Sequence, residues 1–217
     1  MNPSLKLFLI LFISLEITFT SKLWANIIII LVALALLAVH HFSWRQFCWL
    51  IAIPFLPAMA LFITISFFSP DRDWFYGWVL VSRIYGYVSL GTLFTATTSQ
   101  LALARSLEQN CHLPSKYAYG VLAAFNLVPR IRQSINTIYM AARMRGVTLH
   151  WWSPTLYFKA ILAAIQWSDQ LAQAMESHGF VEGQVRSFAT VITISKKDWL
   201  LLGGIILAVQ FLVIALP

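Results

Sequence analysis

Ala141-Ala142-Arg143-Met144-Arg145-Gly146 and Ala174-Met175-Glu176-Ser177-His178-Gly179-Phe180 are the two stretches that decide how this chain is read. Each is rich in small residues and ends in a cationic or potentially cationic side chain followed by glycine. A glycine just past a helix end takes up the left-handed conformation that terminates the helix. The residue before it then places its positive charge against the negative end of the helix dipole. For one Arg-Gly pair that explanation suffices. Two such ends in one basic, water-facing region point instead to a docking surface, because an arginine there can grip a partner's carboxylate through two parallel hydrogen bonds.

The rest of the chain is oily. Hydrophobic residues make up 59% of the 217 and charged residues 11%, against about 25% charged in an ordinary soluble domain. That balance defines an integral membrane protein. Its formal net charge of +7 is unevenly placed, with ten of the fifteen Lys and Arg between Arg105 and Lys197. Such an excess marks the cytoplasmic side and attracts anionic lipid or an acidic partner. There is no dense Lys/Arg run of the kind that nucleic acid requires. Cys48 and Cys111 form no disulfide framework and read as two reduced thiols.

Taken in order, residues 5–20 form a first apolar span, retained rather than cleaved because no small-x-small site follows it. Glu16 is its one acid, either a functional group or a side chain reaching the interface from near the helix end. A second span covers residues 24–42, and His40-His41-Phe42-Ser43-Trp44-Arg45 marks the next boundary. Residues 47–68 form a third span containing Pro54 and Pro57, which membrane helices tolerate where neighbours satisfy the freed carbonyls. Ser69-Pro70-Asp71-Arg72-Asp73 is a polar break outside the membrane. Residues 76–97 form a fourth span, in which Gly77, Gly86 and Gly91 indicate close helix packing. Arg83 within it either snorkels to the outer interface, the favoured reading, or pairs with an inward acid. Residues 200–216 form the last span, entered through Lys196-Lys197-Asp198-Trp199. With the central region cytoplasmic, the N-terminus, Lys6 and Arg45 lie inside, and Lys22, Arg72 and Arg83 lie outside.

The central region is amphipathic. Ile131, Ile135, Ile138 and Ala142 recur at helical spacing, with Arg132, Gln133, Asn136 and Arg143 off that stripe. Over residues 157–179 the stripe of Lys159, Gln166, Gln170, Gln173 and Ser177 is narrow, and most other positions are apolar, including Ile161, Leu162, Ile165, Trp167, Leu171 and Met175. That pattern suits a helix lying along a membrane interface or against other helices; an imperfect span is the other reading. Trp151-Trp152-Ser153-Pro154 is a turn with aromatic interface anchors. The expected fold is therefore all-α, with about five transmembrane helices and long amphipathic cytoplasmic helices. Its divisions are residues 1–98 (four spans), 99–197 (the coupling-helix region) and 198–217 (the final span).

Catalytic and metal-binding patterns are missing from the sequence. No lysine follows a glycine, which removes a Walker A loop, and H-E-x-x-H, C-x-x-C and G-x-S-x-G are absent. The adjacent His40 and His41 share no helix face. The sequence therefore predicts a non-enzyme with no metal site and no cofactor in this chain.

Several stretches, in order, resemble one family. Pro3-Ser4-Leu5-Lys6 looks like a Pro-x-x-Lys opening. Thr97-Thr98-Ser99 and Leu101-Ala102-Leu103-Ala104-Arg105-Ser106-Leu107 look like a Thr-Thr-Ser and the helix after it. Asn126-Leu127-Val128-Pro129 resembles an Arg-Phe-Ile-Pro stretch, with Asn126 in place of arginine and Arg130 close by. Residues 141–146 and 174–180 resemble two Ala-Arg-Gly motifs. Together they resemble the transmembrane (T) component of energy-coupling factor (ECF) transporters, the CbiQ/EcfT-like family of vitamin and metal-ion importers. The resemblance implies a multi-pass protein of a prokaryotic cell membrane that couples ATP hydrolysis to transport. Its partners are then two cytosolic ATPase domains (a homodimer, a heterodimer or one fused chain), which carry the ATP and magnesium, and a small membrane S component that selects the substrate. Thiamine or its pyrimidine precursor, biotin, and cobalt or nickel all stay open. The implied ATPase-docking residues are Met144, Arg145 and Gly146 at the first tip and Ser177, His178 and Gly179 at the second, supported by Arg143 and Glu176. Ser177-His178 replaces Ala-Arg, and histidine lacks both the planar fork and the permanent charge of arginine. That difference suits two unlike ATPase domains. A self-contained carrier or channel is the alternative; it needs paired intramembrane charges or broken half-helices.

Overall fold

The computed structural model describes residues 1–39, 44–68, 73–181, 183, 184, 188 and 190–216. The boundary readings at residues 40–43 and 69–72, Arg72 among them, lie outside the described residues, as does the side chain of Trp44. Among the described residues every regular element is helical. These are α1 (Pro3–Phe19), α2 (Leu23–Val39), α3 (Trp44–Ile63, extended by a π-helical turn over Thr64–Phe68), α4 (Trp74–Thr97), α5 (Gln100–Asn110), α6 (Ser115–Met144), α7 (Pro154–Ser177) and α8 (Lys196–Ala215). The chain divides into two compact units, one of residues 1–106 with 192–217 and the other of residues 107–191.

The first unit is a bundle organised on α4, which packs against α1, α2 and α3. α1 buries Leu5, Leu9, Ile13 and Ile17, and α2 buries Ala25, Ile29, Ala33 and Leu37. Both are strict four-residue repeats, so each helix turns a single stripe inward. The stripe of α1 joins Leu90 of α4 and Leu202 of α8 in one apolar core. α3, α4 and α8 are long and apolar enough to cross a membrane. α1 and α2, at 17 residues each, measure about 26 Å at 1.5 Å per residue, somewhat under the ~30 Å hydrocarbon layer. The five expected spans are thus five helices, of which three have full spanning length. The last begins at Lys196 rather than Leu200, because Ser195 and Asp198 form a reciprocal capping box over its first turn.

Glycine marks close contact at two of the three positions in α4. A Cβ added at Gly77 would lie 2.9 Å from Ser66 Oγ and 3.1 Å from a ring carbon of Phe62, and one at Gly86 would touch Ile17 at 3.4 Å. At Gly91 the space is open.

Three cations cap helix C-termini within this unit, satisfying carbonyls that have no partner in their own helix. Lys6 Nζ donates to Thr97 O at 3.2 Å, at the end of α4. Lys22 Nζ donates to Val213 O at 2.8 Å and Leu216 O at 2.5 Å, at the end of α8. Arg83 Nη2 donates to Thr20 O at 3.0 Å, at the end of α1. Among the described residues Arg83 makes no ion pair with an acid, and it reaches the end of α1. It closes the first helix, and its guanidinium lies 5.9 Å from the centre of the Tyr76 ring. Glu16 Oε1 accepts from Gln210 Nε2 of α8, so it ties the first helix to the last rather than extending to the interface alone.

Three of the stretches that suggested the family, around Lys6, Thr97 and Ser106, meet here. Lys6, which closes the Pro-x-x-Lys opening, holds the carbonyl of Thr97. Asn2 Oδ1 accepts from Ser4 N at 3.2 Å, Ser4 Oγ at 2.9 Å and Ser106 Oγ at 2.5 Å. Ser106 is fully buried, so α5 is pinned to the start of α1 through a hydrogen-bonded cluster closed to solvent.

Candidate docking site

The second unit is built on α6 and α7, which pack together. Proline starts α7: Pro154 takes its first position, where the missing N–H costs nothing. Within α6 the residues Ile131, Ile135, Ile138 and Ala142 are half-buried, and Arg132, Gln133, Asn136 and Arg143 are exposed, as the helical spacing requires. α7 buries only Leu156 and Ala160, and leaves much of its apolar surface open.

The two helices end in one geometry. At the end of α6, Gly146 has φ 71°; its N–H donates to Arg143 O at 3.0 Å and the N–H of Val147 to Ala142 O at 3.0 Å. At the end of α7, Gly179 has φ 80°; its N–H donates to Glu176 O at 2.9 Å and the N–H of Phe180 to Met175 O at 2.9 Å. This double bond pattern is the Schellman motif at both ends. Arg145 and His178 are the two cap residues, the last before the chain turns away. Arg143, Met144, Arg145 and Gly146 are exposed, as are Glu176, Ser177, His178 and Gly179. Ser177 Oγ bonds back to Ala174 O at 2.8 Å. Among the described residues Arg143, Arg145, Glu176 and His178 make no ion pair. The tips differ in charge: two arginines crown the first, while a glutamate and a histidine crown the second.

The tips stand apart. The first half of α6 lies along the second half of α7, and between them is an open groove of about 1000 Å³. Tyr119, Leu127 and Arg130 line it from α6, and Trp167, Leu171 and Met175 from α7. His178, Gly179 and Phe180 border this groove and Arg145 does not. Trp167 also faces Arg130, Gln133, Ser134 and Thr137. From that crossing Arg145 and His178 are each about eleven residues away, roughly 16 Å of helix. Asn126 and Arg130, one helical turn apart, both line the groove, so the arginine after Pro129 presents its cation on the face where Asn126 presents an amide. The groove had no signature in the sequence beyond the helical spacing of Tyr119, Leu122 and Asn126. Among the described residues no cluster of His, Cys, Asp or Glu is arranged to hold a metal ion.

A polytopic helical membrane protein with a two-helix unit whose helices end in two exposed tips of matching backbone geometry is the class these features define. The family of CbiQ, cobalt transport protein, matches residues 1–187, and the chain belongs to it. The energy-coupling factor transporter transmembrane protein EcfT of Lacticaseibacillus paracasei is 23% identical over 168 residues, covering 65% of this chain and 64% of that protein. The protein of the same name from Limosilactobacillus fermentum is 26% identical over 146 residues, covering 59% and 54%. The matches thus span between half and two thirds of each relative's length.

Proposed function

We propose that this chain is the energy-coupling transmembrane subunit of an ECF-type importer, and that Arg145 and His178 seat two ATPase domains. The observation that carries this reading is the repeated Schellman end, with a cap residue exposed and unpaired at each tip. A helix end held by two backbone bonds is rigid, so a force applied at the tip is transmitted along the helix rather than absorbed by fraying. The separation of the tips supports one ATPase domain on each. Their unequal charge favours two unlike seats: an acidic one for Arg143 and Arg145, and a less acidic one for Glu176 and His178. The transported compound is then selected by a separate S component, with a vitamin or a metal ion as the class. In such a complex the chain performs no chemistry of its own, and ATP and magnesium belong to its partners.

Co-purification tests the reading. Arg145→Glu reverses the charge at the first tip and is expected to abolish association with the ATPase domains. Arg132→Glu, on the same helix away from the tip, leaves association intact. Full assembly of the Arg145→Glu protein would overturn the docking assignment.

A further inference from the structure

On matching backbones the two tips carry different cations. Both helices close with the same pair of backbone bonds, around glycines at φ 71° and φ 80°. The residue before each glycine is an exposed helix cap, Arg145 at the first tip and His178 at the second. A guanidinium is always charged. An imidazole is the ordinary side chain whose charge changes between about pH 5 and 8.

The surroundings leave that difference uncovered. Among the described residues His178 makes no ion pair, and Ser177 beside it turns its hydroxyl back to Ala174 O. The charged or titratable groups around it are Glu176 on its own helix and, from α6 packed on α7, Arg130 and Tyr119 across the groove. Carboxyl, guanidinium and phenol groups ordinarily change charge well outside that range, so the imidazole is the member of this set whose charge follows the pH. The cap of the first tip holds no such group; His150 comes four residues after Gly146 and is stacked on Trp152 at 5.6 Å.

Protonation then enters the docking equilibrium. An imidazolium offers two N–H donors and a positive charge, whereas the neutral ring offers one donor and one acceptor. A carboxylate seat prefers the protonated ring. Docking that takes up one proton weakens by up to tenfold per pH unit, and docking through a guanidinium does not.

We propose, on the reading that the tips seat ATPase domains, that docking at the second tip is set by pH. The imidazolium of His178 holds its ATPase domain and the neutral ring releases it, while Arg145 holds the other domain throughout. As the medium around the tips turns alkaline, one of the two grips loosens and coupling is lost.

Photocrosslinking separates the tips. A benzophenone amino acid at Ser177, or at Met144 for comparison, is irradiated in permeabilised membranes from cells that make the whole transporter, at about pH 6 and about pH 8, either side of the ordinary imidazole value. The adduct with an ATPase polypeptide at position 177 is expected to fall severalfold at the higher pH, and the adduct at 144 to hold. With His178→Arg added, the adduct at 177 should be equal at both pH values; with His178→Gln it should be low at both. An adduct at 177 that holds at the higher pH in the parent chain, or that falls as steeply with His178→Arg, would overturn the proposal and leave the docking of ATPase domains standing. No adduct at either tip at either pH would overturn the docking reading and this proposal with it.

Discussion

Replacing Gly146 with alanine isolates the backbone geometry on which the docking tip depends. No atom lies within 4 Å of a Cβ built there, so sterics with neighbours contribute nothing. What remains is the left-handed conformation at φ 71°, which costs an L-residue roughly 1–2 kcal/mol. The penalty falls on the two bonds that close the helix, from Gly146 N–H to Arg143 O and from Val147 N–H to Ala142 O. Since 1.4 kcal/mol is about tenfold in an equilibrium constant, opening of this last turn should rise about five- to thirtyfold. Hydrogen exchange with mass spectrometry reads it directly, as faster exchange in peptides covering residues 142–147 and unchanged exchange in the bundle. Gly120 supplies the control, since it lies inside α6 with equally open space around it. There alanine stabilises by about 0.5–1 kcal/mol, because glycine is the poorer helix former. The same substitution therefore carries opposite signs inside α6 at position 120 and just past its end at position 146. Gly146→Asn should fall between wild type and alanine, since asparagine visits this conformation more readily. Slower or unchanged exchange in Gly146→Ala would refute the reasoning.

Three further outcomes follow from the packing and from the asymmetry of the tips. Gly77→Ala pushes a methyl into Ser66 Oγ at 2.9 Å and should cost about 1–3 kcal/mol, read as a lower melting temperature in detergent; Ser66→Ala added to it should restore part of the loss, and strictly additive losses would count against the contact. Ser106→Ala removes one of the donors to Asn2 Oδ1 and should destabilise by roughly 1 kcal/mol; a neutral result would mean the cluster does not hold α5 to α1. His178→Arg should preserve or strengthen association with the ATPase domains, and loss of assembly would show a seat shaped for the smaller ring.

The features legible in the sequence are those set by near neighbours along the chain. Arg145-Gly146 and His178-Gly179 announced helix ends because glycine alone takes φ near 70–80° without strain, and both ends form where expected. The buried stripes of α1 and α2 were not legible, because both helices are apolar on nearly every face and only the packing selects the side turned inward. Contacts between distant stretches were not legible. Arg83 offered two readings, and neither named its acceptor, Thr20 O, 63 residues earlier. Glu16 finds Gln210 across 194 residues, a pairing that neither local sequence can indicate. Of the three glycines in α4, only the packing tells that Gly77 and Gly86 are tight and Gly91 is open. The two tips shared a pattern in the sequence; that only His178 borders a groove emerges from the way α7 lies along the first half of α6.

The central claim, that the tips are seats for ATPase domains, is met most directly by photocrosslinking in the native membrane. A benzophenone amino acid is placed at Met144, which is 89% exposed at the first tip, and separately at Ser177 on the second. The account predicts one adduct at each position, both with ATPase polypeptides. Adducts with lipid alone, or none at either tip in cells that make the whole transporter, would contradict it.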